Sequence, residues 1–353
     1  MNKIKLGVLF GGMSTEHDVS IVSGTSIIKN LDTKKYDIYP IYISEEGDWF
    51  EYKKNIEEIS ILKVGDKINN IQKIEDPITY LKKLDCAFPV LHGLYGEDGT
   101  IQGLFEMLKI PYVGCKVLAS SISMDKAYTK VIFNKAGLEQ AKYIYIRKNK
   151  ENYIYVDENF KESLHNIHEI IEIVDRKQKY PMFVKPSNSG SSVGINKVNN
   201  KEELKNAIEY AAKYDKKILI EEGIKGREVE CAVLGNEDVK ASCIGEVLSA
   251  EEFYSFDSKY NNNESRTVIP AQLPEQIAEE IRQIAIKAFK AVNGSGLSRV
   301  DFFVEQGTNK IIINEINTMP GFTQISMYPK LFEACGINYS QLLDEIVNLA
   351  MEE

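Results

Sequence analysis

The sequence predicts an α/β fold with mixed α+β character, opening on a parallel α/β domain. Three observations carry that reading. At 353 residues the chain is too long for one ordinary core, so two or three domains are expected. Near the N-terminus the order strand, glycine turn, helix repeats, which is how neighbouring parallel strands are connected. Further along, amphipathic helices alternate with short runs rich in Val, Ile and Phe.

Taken in order, Leu6 to Phe10 reads as a buried strand that Gly11-Gly12 ends with a turn. EHDVSIVSGTSIIKNL follows as a helix with Ser14 as its N-cap. Tyr36 to Ser44 alternates as a second strand, and residues 51 to 80 are charged, weakly patterned and without an assigned role. Asp85 to Leu91 is a third strand. The helix after it sets Ile101, Leu104, Phe105 and Leu108 at i, i+3, i+4 and i+7, an apolar stripe.

This first domain closes near Cys115, giving 1–115. A second unit, 116–221, starts with one helix at SSISMDKAYTKVIFNKAG and crosses a charged stretch at 148 to 179. It continues as strand PMFVKP, a Gly/Ser loop, helix EELKNAIEYAAKY and strand KILIEE. The third, 222–353, carries REVECAVLG, an aromatic loop at 251 to 266 and an amphipathic helix at 275 to 293. Two strands, SRVDFFVE and NKIIINEIN, a glycine-bearing tail and a last helix complete it.

Hydrophobic residues make up 43% and charged residues 27%, which excludes a disordered chain. A formal net charge of -9 disfavours a nucleic-acid partner, which would call for a basic face. A triphosphate needs only a few local cations and is not excluded. The five cysteines show no CxxC or Cys/His spacing and read as free thiols. MNKIKLGVLFGG is too short an apolar run for a signal-peptide core, and no run approaches the ~18 residues of a membrane span. A soluble, cytoplasmic protein with no membrane partner is expected.

Several clusters carry chemistry. SNSGSSVG, Ser187 to Gly194, follows a strand bearing Lys185. Small residues let backbone N–H groups reach phosphate oxygens, although such runs are more often plain turns. No GK[ST] follows, and GGMSTEH does not fit GxGxxG, so neither a P-loop nor a dinucleotide fingerprint is present.

A hairpin turning about Thr308 places Asp301 opposite Glu315 and Arg299 opposite Asn317, all on one sheet face. Opposed carboxylates repel and call for a neutralising charge. Hard oxygen donors suit Mg²⁺ together with phosphate ligands, while pairing of the acids by Arg299 is the simpler alternative. A turn one residue shorter or longer would shift this register.

Pro320-Gly321 puts backbone N–H groups beside that face, where they can meet an oxyanion or merely turn the chain. Phe253, Tyr254, Phe256 and Tyr260 crowd one loop, which suits a lid over a site. His92 stands at a strand-end glycine turn and reads as structural on its own. No Ser–His–Asp arrangement is present.

GGMSTEHDVS, FPVLHGLYGEDGTIQG, PYVGCKVLASSISMDK, FVKPSNSGSSVG, EEGIKGREVECAVLG, FYSFDSKY, SGLSRVDFF and NEINTMPGFTQISMYP resemble, in order and over nearly the whole chain, the D-alanine–D-alanine ligases of the ATP-grasp group. The resemblance implies a three-domain ATP-grasp architecture with ATP between the second and third domains. It implies that Lys126 and Lys185 hold phosphates under the Ser187 to Gly194 loop, Ser192 included. Glu221, Glu222 and Ile224 would meet adenine, and Glu228 the ribose. Asp301, Glu315 and Asn317 would carry two Mg²⁺ ions, with Mn²⁺ as a substitute.

For the amino acids, the resemblance makes Glu16 the acceptor of the first ammonium and Glu16, Ser191 and Tyr260 a trio closing the site. Arg299 and the Gly321 N–H would form the oxyanion hole. Lys259 and Ser326 would bind the second carboxylate, with His92 and Met327 beside the substrates. The implied activity is ATP-dependent synthesis of D-alanyl-D-alanine through an acyl phosphate for peptidoglycan precursors, by a homodimer.

By the same resemblance, the intact SKY, from which ester-forming members depart, implies an amine over a hydroxyl nucleophile. Met327, where D-serine-using members often carry a basic residue, likewise implies D-alanine over D-serine as acceptor. Ile325 stands where many relatives carry histidine, and FYSFDSKY where FYDYEAKY is more frequent. A D-alanine–D-serine ligase is the alternative within the fold. A non-catalytic nucleotide-binding regulator would be expected to lack Lys185, Arg299, Asp301 or Glu315, and all four are present.

Overall fold

A computed structural model describes residues 3–53, 55–248 and 266–352. Three sheets organise them. The first has five strands in the order β4-β3-β2-β1-β5, from β1 (Ile4–Gly11), β2 (Tyr36–Ile43), β3 (Trp49–Tyr52), β4 (Ile71–Lys73) and β5 (Cys86–Pro89). β1 runs parallel to β2 and β5, as the strand–turn–helix pattern predicts. The layer is not wholly parallel. β3, which runs into the 51–80 stretch left without a role, pairs antiparallel with β2, and β4 within that stretch pairs antiparallel with β3. Both are short, and β4 at the sheet edge is exposed throughout, so they offer little apolar alternation to reveal them.

Helix α1 (His17–Asn30) has Glu16, not Ser14, at its N-cap. Ser14 lies two residues earlier, where its Oγ accepts the Glu16 N–H (3.1 Å) and donates to the His92 carbonyl (2.6 Å). One face of the sheet, through Leu9, Ile41 and Ala87, packs on α2 (Pro77–Leu81) and α3 (Thr100–Leu108) by way of Leu81, Ile101 and Phe105. The other face is covered by α1 and by residues from the far end of the chain. Leu6, Val8 and Phe88 share a core with Leu342, Leu343 and Ile346 of the last helix.

The predicted helix over SSISMDKAYTKVIFNKAG is two helices, α4 (Val117–Met124) and α5 (Lys126–Lys135), broken at Asp125. Asp125 is extended (φ -89°, ψ 96°), and its carboxylate accepts the Ala127 N–H (3.2 Å) and the Tyr128 N–H (3.4 Å). The break is therefore a capped restart. The second sheet runs β10-β9-β11-β6-β7-β8, from β6 (Tyr143–Asn149), β7 (Asn152–Val156), β8 (Glu162–His165), β9 (Met182–Pro186), β10 (Asn196–Val198) and β11 (Lys217–Glu222). Its neighbours pair antiparallel. The charged 148–179 stretch holds β7, β8 and α6 (Ile167–Lys177), the last started by an Asn166/Glu169 capping box. α6 and α7 (Lys201–Ala211) bury Ile170, Val174, Leu204 and Ile208 on one face, which leaves the other to the cavity below.

The third sheet, β14-β13-β12-β15-β16, comprises β12 (Gly226–Leu234), β13 (Lys240–Leu248), β14 (Arg266–Val268), β15 (Leu297–Glu305) and β16 (Ile311–Asn317), with α8 (Glu275–Ala291) packed on it. Then come α9 (Met327–Ala334) and α10 (Tyr339–Met351). Arg299 faces Asn317 and Asp301 faces Glu315, the predicted register. It is reached by a different route. Nearer the turn Phe302 faces Ile313 and Val304 faces Ile311, one residue out of step, and a bulge between Asp301 and Phe302 restores the pairing. No helix among the described residues is long and apolar enough to cross a membrane.

Candidate active site

Between the second and third sheets, and capped by the start of α1, lies a cavity of about 320 Å³. Every predicted site residue that the structure describes lines it: Glu16, His92, Lys126, Lys185, Ser191, Ser192, Glu221, Glu222, Ile224, Glu228, Arg299, Asp301, Glu315, Asn317, Gly321, Ser326 and Met327. Lys259 and Tyr260, with the aromatic loop predicted as a lid, lie outside the described residues.

Alternation along β15 and β16 turns Arg299, Asp301, Glu315 and Asn317 toward the cavity while Val300, Phe302 and Ile316 enter the core. The Arg299 guanidinium grips both oxygens of Asp301 at 2.7 Å and meets Glu230 at 2.9 Å. Burial works against its charge, but Asp301 and Glu230 hold its proton well above the ordinary range. The Asn317 amide donates to Asp301 at 3.0 Å. Glu315 has the Lys126 ammonium 3.7 Å away. The repulsion expected between the opposed acids is thus met by one cation on each.

Lys126 opens α5, and its Nζ donates to the Ser189 carbonyl at 2.8 Å, tying the helix to the Ser187 to Gly194 loop. Lys185 reaches Glu221 at 2.6 Å, and Lys130 reaches the other Glu221 oxygen at 3.2 Å. Burial alone would raise the Glu221 carboxyl, but the two lysines outweigh it and hold it below the ordinary carboxylate range. The same burial lowers Lys130, with Glu221 opposing the shift.

In the loop, Ser191 and Ser192 both adopt positive φ, 47° and 61°, a conformation few non-glycine residues hold without compensation. The compensation is visible at Ser191, whose hydroxyl donates to Glu16 Oε1. A Cβ on Gly190 beside it would lie well inside contact distance of Glu16 Oε2, so a side chain there requires the Glu16 carboxylate to move. Gly190→Ala is expected to hold the loop off Glu16 and cut turnover by about a hundredfold with the fold retained. Steady-state rates beside a thermal melt check this, and unchanged turnover would show that the loop need not approach Glu16.

His92 is buried. Its Nδ1 lies 3.1 Å from the Met319 carbonyl and its Nε2 3.0 Å from Ser23 Oγ. Burial pushes its proton affinity down, against the pull of Glu16, and its contact with the Met319 carbonyl braces the Met319–Gly321 turn. At that turn a Cβ on Gly321 would meet Ser326 Oγ at 2.8 Å. Ser326 Oγ also accepts the Thr323 N–H at 2.9 Å. Met327, the first residue of α9, is buried against Gly245 of β13.

Of the residues at this site that escaped the sequence reading, four stand out. Glu97 lines the cavity beside Glu16. Burial, helped by the Glu16 charge, pushes its carboxyl up to about 8, and it accepts the Gly93 N–H at 2.9 Å. Glu230 follows Glu228 by two on β12, so the strand period would have exposed it. Lys130 sits four residues after Lys126 and looks like one more helix cation. Phe183 also lines the cavity and carries no polar signature.

Two family models match the chain, the D-ala D-ala ligase N-terminus over residues 5–115 and the D-ala D-ala ligase C-terminus over residues 132–348. The chain belongs to the D-alanine–D-alanine ligase family. It is 48% identical to the D-alanine–D-alanine ligase of Acetivibrio thermocellus, over 99% of this chain and 96% of that protein. It is 49% identical to D-alanine–D-alanine ligase B of Clostridium tetani, over 99% and 94%. Among solved structures, the VanG D-Ala:D-Ser ligase of Enterococcus faecalis matches with a TM-score of 0.85 and 34% identity, over 99% of this chain and 100% of that one. The D-alanine–D-alanine ligase of Coxiella burnetii matches at 0.82 and 35%, over 100% and 95%. The mixed α/β architecture is that of the ATP-grasp ligases.

Proposed function

We propose that the chain uses ATP to join two D-alanine molecules into D-alanyl-D-alanine, for peptidoglycan precursors, as a cytoplasmic homodimer. One observation carries the reading: a single cavity gathers Lys126 and Lys185, the carboxylate hairpin, Arg299 with the Gly321 turn, and the Glu16–Ser191 contact.

ATP would lie with adenine at Glu221, Glu222 and Ile224, ribose at Glu228, and phosphates at Lys126, Lys185 and Ser192. Glu16 would receive the ammonium of the first D-alanine. The carboxylate oxygen of that substrate attacks the γ-phosphorus, and the bond to the bridging oxygen breaks, releasing ADP and leaving an acyl phosphate. The amine of the second D-alanine, its carboxylate held by Lys259 and Ser326, then attacks the acyl carbon. Arg299 and the Gly321 N–H receive the oxyanion of the tetrahedral adduct. Collapse expels inorganic phosphate, and the nitrogen loses its extra proton to solvent. Because acyl phosphates hydrolyse, the Ser191 loop and Tyr260 serve by excluding water.

The donor set suits a hard divalent cation. Asp301, Glu315 and the Asn317 amide oxygen share one face. Among the described residues no three His, Cys, Asp or Glu side chains cluster as a metal site, so amide and phosphate oxygens would complete the shell. Bound there, two Mg²⁺ or Mn²⁺ ions would neutralise the transferring phosphoryl group.

The likeness to a D-Ala:D-Ser ligase supports a second reading, in which D-serine is the acceptor. Apolar Met327, buried next to Ser326, favours the methyl of D-alanine. With D-alanine, D-serine and D-lactate in competition, the mass of the product is expected to be that of D-alanyl-D-alanine. Predominant D-alanyl-D-serine would reverse the acceptor assignment, and ATP binding without phosphate release would sink the ligase reading.

A further inference from the structure

Away from the cavity, β13 and the end of α9 bring two thiols together. Along β12 and β13, Cys231 faces Ile244 but Val233 faces Ala241, so Ser242 and Cys243 together oppose Ala232 in a bulge. The bulge takes the Cys243 N–H out of the ladder, and this N–H donates to Cys335 Sγ at 3.0 Å. Cys335 is the C-cap residue of α9 and is exposed. Cys243 is half-buried, and its Sγ lies 3.5 Å from the Leu331 carbonyl one turn back on the same helix.

The pair is chemically asymmetric. Burial lifts the Cys243 thiol to about 12, and the neighbouring Cys335 adds to the rise. The Cys335 sulfur accepts a backbone N–H, and its exposure admits small oxidants. The other cysteines, Cys86, Cys115 and Cys231, are buried.

We propose that Cys243 and Cys335 form a reversible intramolecular disulfide that staples α9 to β13. With a peroxide, the Cys335 thiolate displaces water from the protonated peroxide and becomes a sulfenic acid. The Cys243 sulfur then attacks that sulfur, forming the S–S bond as its own proton and the hydroxide leave as a second water. Two thiols are oxidised and one peroxide is reduced. Since α9 begins at Ser326 and Met327, and Gly245 of β13 touches Met327, the staple bears on the wall of the acceptor pocket.

The test treats the native, full-length chain with hydrogen peroxide and reads mass, thiol titre and linked peptides. The expected product is lighter by two hydrogen atoms, titrates three thiols in place of the original five, and yields a Cys243–Cys335 peptide that dithiothreitol releases. Cys335→Ser and Cys243→Ser should each abolish the linked peptide, and Cys243→Ser should leave a trappable sulfenic acid at Cys335. Oxidation that gives only sulfinic or sulfonic acid at Cys335, or links between different chains, overturns the proposal.

Discussion

Arg299→Ala is expected to lower dipeptide formation by about two to three orders of magnitude, the loss that the proposed role of Arg299 as an oxyanion donor implies. ATP should still bind, because the guanidinium contacts Asp301 and Glu230, not Lys185 or Glu221. The substitution also strands two carboxylates that now share one cation, and breaking a buried pair this way costs about 3–5 kcal/mol. Arg299→Lys separates the two effects. It keeps the charge and much of the stability but loses the fork that grips both Asp301 oxygens, so turnover should remain low. Nucleotide titration, steady-state rates and urea melts of both variants check this. Equal loss of ATP affinity and turnover in Arg299→Lys would place the arginine on the phosphates instead.

Glu221→Gln should impair ATP binding and destabilise the fold together. One carboxylate holds Lys185 and Lys130, and a neutral amide leaves two buried ammonium groups facing each other, again about 3–5 kcal/mol. The pH dependence identifies the residue. Folding depresses the Glu221 carboxyl, so the folded chain binds fewer protons there than the unfolded one. Its stabilising contribution is present above the ordinary value of 4.5 and fades as pH falls through the lower folded value. Melts between neutral pH and below pH 4 should therefore be flatter in the variant than in the parent chain. An unchanged acid limb would assign the stability to other carboxylates.

How much of this was legible beforehand varies with the kind of signal. Residues announced by local chemistry read well: the Gly/Ser loop, the paired acids and the lysine ahead of the loop all line one cavity. The hairpin is more instructive. The predicted turn about Thr308 is off by one near its tip, yet the pairing of Asp301 with Glu315 is as predicted, because the bulge beside Asp301 cancels the slip. Neither error is written in the apolar pattern, since Ile311, Ile312 and Ile313 are all buried and fix no phase.

Context decided the rest. Asp125 divides a continuous helical pattern because its side chain caps the next turn more favourably than it continues the last. Glu97 was visible within its motif, but its raised affinity for a proton comes first from burial and then from the charge of Glu16, 81 positions earlier in the chain, and neither is written in the motif.

The shared core beneath the first sheet bears on the order in which the molecule can be completed. Leu342, Leu343 and Ile346 of α10 supply apolar cover for Leu6, Val8 and Phe88, so a segment made early is closed by one made much later. The emerging first sheet can form its hydrogen-bonded ladder early, yet part of one flank stays wet until α10 has been made. Premature termination anywhere before α10 would leave that flank open, whatever the state of the catalytic residues.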